Sequence, residues 1–150
     1  MMMGRRKLFV FEKGKSELSI GRFYGPTNGR PGIKGGKIIV ETSYPEGMHY
    51  DGIGAILGVS FKGYKKLCIR GNVPEYENGF DISVGFGPEG REGFFEPEEW
   101  TGKENIRSSG EFEIKMEIGN ISGNCPINFY TGARSDKKKV AMEIYDIWLL

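Results

Sequence analysis

The sequence predicts an all-β fold, an antiparallel β-sandwich of about nine strands with little helix. Three observations carry this reading. Residues 111–118 alternate strictly, with Phe112, Ile114, Met116 and Ile118 on one side and Glu111, Glu113, Lys115 and Glu117 on the other, as in a strand with one buried and one wet face. The last seven residues, Ile144 to Leu150, are apolar on both faces apart from Asp146, which places them inside a sheet rather than in a frayed tail. The chain carries 24 glycines, about twice the usual share of ~7%, so turns are numerous.

In chain order, strands are expected over residues 7–12, 18–23, 37–42, 55–61, 65–70, 80–86, 111–118, 127–131 and 140–150. Residues 80–86 repeat the alternation, with Phe80, Ile82, Val84 and Phe86 inward. Gly85 on the other side allows a neighbouring group to approach closely. Turn clusters separate these segments: Gly25 to Gly32, Tyr44 to Gly47, Gly71 to Pro74, Gly87 to Gly90, and Gly119 with Asn120. A single helical turn is expected at Pro97, Glu98, Glu99 and Trp100, with Pro97 in its first position. Strands spaced in this way fit a sandwich or jelly roll burying Phe80, Ile82, Val84, Phe112, Ile114, Met116, Ile127, Phe129, Ile147 and Leu149.

No linker or repeat divides the 150 residues, so residues 1–150 read as one domain, large enough to bury roughly 70% of its unfolded surface. The 21 basic and 20 acidic residues nearly cancel, and no basic stripe offers itself to a phosphate backbone, which sets nucleic acid aside as a partner. The run Lys137, Lys138, Lys139 reads as a solvated hairpin tip. Arg5, Arg6 and Lys7 precede too short an apolar stretch for a signal peptide, and no segment is long enough to span a bilayer. The expectation is a protein made in the cytoplasm, without membrane insertion, that ends up free or within a virion. Cys68 and Cys125 form neither a zinc motif nor a disulfide framework and read as free thiols.

Catalytic signatures are weak. The lone His49 has no nucleophile-elbow motif to serve, Glu96, Glu98 and Glu99 lie too close along one loop to flank a glycosidic bond, and residues 85–90 contain Pro88 where a phosphate loop would continue into a helix. A non-enzyme is expected. Aromatic residues make up 13% of the chain, and Tyr44, Tyr50, Tyr76, Phe94, Phe95 and Trp100 fall in loops. Flat rings stack on the C–H faces of sugars while polar side chains bind hydroxyls, so these loops suit glycans. They equally suit capping of the sandwich or contact between subunits. The candidate ligand contacts are Trp100, Tyr50 and Tyr76 for stacking and Asp51, Glu99 and Arg91 for hydroxyls. No cofactor is called for except structural calcium, with Asp146 as the carboxylate that would bind it.

The segment Phe61, Lys62, Gly63, Tyr64, Lys65, Lys66, Leu67, Cys68, Ile69, the later Ile127 to Tyr130, and the closing Ile144 to Leu149 resemble carbohydrate-binding jelly-roll modules of galactose-binding-like type. Such modules occur in tail and host-recognition proteins of phages and prophages of Gram-positive bacteria. The opening Arg6 to Phe11, followed by Lys13 and Gly14, is also similar. Leu150 stands where those modules carry an acid, and their glycine–tryptophan segment is missing around Gly21 to Tyr24. The resemblance implies a jelly roll that binds a polysaccharide or cell-surface glycan without catalysis, as a possible phage virion component. The alternative is a structural protein that forms a symmetric homo-oligomer or larger assembly through its aromatic loops.

Overall fold

The computed structural model describes residues 6–10, 33–34, 37–42, 44, 47–93, 95–133 and 138–150. It contains two antiparallel sheets. The first runs β3 (Lys37–Glu41), β10 (Ala141–Leu149), β5 (Lys66–Val73), β8 (Gly110–Glu117), and two short strands extend it, β2 (Ile33–Lys34) beside β3 and β1 (Arg6–Val10) beside β10. The second runs β4 (Gly52–Ser60), β9 (Asn124–Ala133), β6 (Phe80–Phe86), β7 (Gly102–Asn105). From β3 onward the chain passes from one sheet to the other at every connection except β6 to β7, so each sheet is assembled from strands distant in sequence. That is the jelly-roll arrangement.

With the two short strands the described residues hold ten strands, eight of which form the two four-stranded layers, against about nine expected. The strand expected at 18–23 lies outside the described residues. β7 was not expected because Gly102, Lys103, Glu104 and Asn105 include no apolar side chain. It is an edge strand held by backbone pairing to Ser83–Phe86 of β6. The expected helical turn is present as a 3-10 turn at Pro97–Glu99.

The core lies between the sheets. Ile82, Val84, Met116, Ile127, Phe129, Ile147 and Leu149 are buried as their alternation demands, while Phe80, Phe112 and Ile114 are half-buried against the same cluster. Each fully buried aliphatic side chain contributes roughly 1.5–3 kcal/mol. Cys68 and Cys125 are both buried. Burial, helped by Glu89, pushes the Cys125 thiol up to about 11.

β10 shows how local irregularity serves packing. Its register against β5 shifts between Ile144 and Asp146, so Tyr145 and Asp146 both lie on the outer side while Ile144 and Ile147 are both fully buried. Outside, Glu143 receives Lys37 Nζ at 2.5 Å, Asn72 Nδ2 at 3.0 Å and the Tyr145 hydroxyl at 3.2 Å. Arg70 Nε donates to Asp146 Oδ2 at 2.7 Å, and its guanidinium lies 5.0 Å from the Tyr145 ring centroid. Burial pushes the Glu143 carboxyl up, but the hydrogen bonds from Lys37 and Asn72 and the Lys37 charge outweigh it and hold the group below the ordinary carboxylate range.

A carboxylate with a depressed pKa stabilises the fold above its unfolded pKa, and that stability is lost as pH falls through the folded value. Glu143→Gln should therefore lower stability at pH 7 by about 1 kcal/mol, and the difference should shrink as pH falls below the ordinary carboxylate range. Chemical denaturation at neutral and acidic pH checks this; an equal loss at both would show that the charge is not what matters.

Candidate functional site

The outer face of the second sheet follows from strand register. Ile82, Val84, Phe86, Ile127 and Phe129 point into the core, so Asp81, Ser83 and Gly85 on β6 and Asn128, Tyr130 and Gly132 on β9 point outward. Tyr130 pairs with Ile53 on one side and Ser83 on the other, and Ser83 pairs in turn with Asn105 of β7. The neighbouring row holds Gly132 beside Asp81, with Asp51 just ahead of the pair Gly52 and Thr131. The Ile106 N–H donates to the Ile82 carbonyl at 2.8 Å, which carries the β6–β7 register one step further and brings Arg107 alongside Asp81. A third row holds Ala55, Asn128, Gly85 and Lys103.

The connection from β6 to β7 closes part of this face. It folds back over the sheet, and a Cβ on Gly85 would lie 2.7 Å from Trp100 Cε3, so only glycine leaves room for the indole. Trp100 Nε1 donates to the Phe95 carbonyl at 2.8 Å, and Asn128 Nδ2 donates to the Gly87 carbonyl at 2.8 Å. The Pro97–Glu99 turn is held by a capping box in which Glu99 Oε2 accepts the Glu96 N–H at 3.0 Å.

The other part of the face stays open, and polar groups gather there. The Tyr130 hydroxyl donates to Asp51 Oδ2. Gly132 forms the floor beneath them, since a Cβ there would lie 2.8 Å from the Tyr130 hydroxyl and 3.1 Å from Asp51 Oδ1. His49 Nε2 is 3.7 Å from Asp51 Oδ1, and the His49 ring stacks on Tyr44 with centroids 5.0 Å apart. Burial pushes the Tyr130 phenol far up, and its hydrogen bond to Asp51 and the charges of Asp51, Asp81 and Glu96 add to this, so it is a hydroxyl donor throughout the neutral range. Glu96 is also raised, by burial first and then by the charges of Glu98, Asp51 and Glu99, which places it in the same acidic neighbourhood. The arrangement offers carboxylates as hydrogen-bond acceptors beside half-exposed tyrosine rings.

The residues singled out from sequence are scattered by the fold. Asp51 lies on the open face, just ahead of the edge strand β4, and Tyr50 beside it is half-buried with its hydroxyl 3.7 Å from Met48 Sδ. Trp100 corrects the expectation: it is 9% exposed and packed on Gly85, so it offers no ring for stacking. Tyr76 packs edge-on against Phe80 at 6.0 Å and leans on the core. Glu99 is exposed but engaged in the capping box, and the exposed Arg91 holds its guanidinium 5.0 Å from the Phe95 ring centroid. Phe94 lies outside the described residues. Asp146 is on the opposite sheet, where a cation would compete with Arg70 for its carboxylate, and no cluster of three or more metal-ligating side chains occurs among the described residues.

Sequence reasoning overlooked Tyr130, Asp81, Asn105 and Gly132. The signal for Tyr130 was present, because Ile127 and Phe129 as core residues put Asn128 and Tyr130 on the opposite face. Among the described residues no helix is long and apolar enough to cross a membrane.

Truncation of a buried tryptophan costs about 3 kcal/mol or more. Trp100→Ala should accordingly lower the unfolding free energy by about that amount, read by denaturant titration, whereas an unchanged midpoint would mean that the ring is dispensable to the fold.

No protein-family model matches the sequence, and the comparison with curated proteins finds no significant match.

Proposed function

We propose that the protein is a non-catalytic glycan-binding module, of the kind a virion uses to recognise a host surface, and that the open part of the second sheet's outer face is its contact surface. The observation that carries this reading is the Asp51–Tyr130 pair over Gly132, set beside Asp81 and Asn105 on a rigid sheet. Vicinal sugar hydroxyls seek carboxylate and amide acceptors at short spacing, and a half-exposed ring covers the apolar edge of the sugar. Strand-borne groups of this kind are already oriented, so binding orders few side chains. The jelly-roll resemblance of the sequence points the same way. A symmetric assembly through aromatic loops would draw on Phe95 and Trp100, and both are buried within the subunit.

Retention on a panel of insoluble plant and bacterial cell-wall polysaccharides tests the proposal. Tyr130→Phe removes the hydroxyl that orients Asp51, and Gly132→Ala pushes a methyl group between the two. Each should weaken retention about tenfold, the equivalent of one charge-assisted hydrogen bond, while the melting temperature shows that the fold persists. Failure of the wild-type protein to bind any member of the panel would sink the reading, and so would undiminished binding by both variants.

A further inference from the structure

A hollow of about 200 Å³ opens on the same face, lined by Asp81, Lys103, Asn105 and Arg107 together with neighbouring apolar residues of the same segments. It adjoins the Asp51–Tyr130 pair through register: Ser83 lies between Tyr130 and Asn105, and its hydroxyl is 2.8 Å from Asn105 Oδ1. Lys103, Asn105 and Arg107 alternate along one side of β7 and its extension, so two cations flank an amide at the sheet edge.

The charges in the hollow are not satisfied by one another. On the first sheet Lys37, Lys66 and Arg70 each meet a carboxylate within 4.0 Å. Lys103 and Arg107 have no ion-pair partner among the described residues, although Asp81 stands across from Arg107 and lines the same hollow. Cations therefore occupy the β7 side, and the acceptors Asp81, Asp51 and Glu96 occupy the side toward Tyr130.

Such a division selects a ligand that is itself divided. A neutral sugar would leave both cations unmatched, and a bare anion would be repelled by Asp81 and its acidic neighbours. A pyranose carrying one carboxylate satisfies both sides, because the guanidinium fork of Arg107 matches a carboxylate in two parallel hydrogen bonds while ring hydroxyls turn to Asp81 and Asn105. The volume is below the ~300–1,000 Å³ of drug-sized sites, which suits one sugar ring of a polymer and not a longer stretch. We infer that this hollow is a subsite for an acidic sugar unit of the hexuronic type. The inference rests on the glycan-binding reading and names its ligand class.

Affinity electrophoresis of the full chain through gels containing polygalacturonate, neutral galactan or glycerol-phosphate teichoic acid tests it, at low and at high salt. Polygalacturonate should retard the protein most, and 0.5 M NaCl should largely abolish the effect. Arg107→Gln and Lys103→Gln should each weaken retardation about tenfold without moving the melting temperature, because both side chains are exposed. Stronger retardation by galactan, with both variants unaffected, would overturn the acidic subsite and leave glycan binding intact. Tighter binding of teichoic acid would overturn the carboxylate assignment, and no retardation in any gel would overturn both readings.

Discussion

The fold depends on β10 being paired along both edges. β5 covers one edge from Glu143 to Leu149, while the other is shared, β3 taking Ala141–Ile144 and β1 taking Asp146–Leu149. A strand in this position must satisfy two ladders and a core at once. The irregularity at Tyr145 sits where the partner changes from β3 to β1, and it keeps Ile144 and Ile147 on the same side of the sheet despite their odd spacing. Without the extra residue, one half of the strand would turn its apolar side chains to solvent.

The second sheet uses glycine to a different end. Gly85 makes room for the indole that pins the β6–β7 connection to the sheet, and Gly132 makes room for the meeting of Tyr130 with Asp51. The outer face is thereby divided into a covered part and a bare part. The covered part is closed by Phe95 and Trp100, so the large rings of the loop are spent on fixing a boundary rather than on contact with a partner. Hydroxyl, carboxylate, amide and cation all stand on strands whose spacing is set by the ladder.

The sandwich was legible because burial leaves a period of two wherever one face is wet, as in Glu111 to Ile118 and Phe80 to Phe86. Gly85 was legible for the same reason, as a missing side chain on the outward row. β7 was not, since an edge strand of Gly, Lys, Glu and Asn has no apolar face to betray it. The site was mostly illegible. Its members come from β6, β7, β9 and the residue that precedes β4, and only register brings Asp51, Tyr130, Asp81 and Asn105 together. Selecting loop aromatics led instead to Trp100 and Tyr76, whose size makes them as valuable for packing as for recognition.

β8 ends the first sheet, and among the described residues nothing pairs with its outer edge. Its exposed residues are Glu111, Glu113, Lys115 and Glu117, three acids to one base. If two copies approached edge to edge in antiparallel fashion about Ile114, Glu113 would find Lys115, but Glu111 would be set against Glu117 at both ends of the ladder. The alternation that betrays this strand in the sequence thus also guards it against templating its own kind into a fibre.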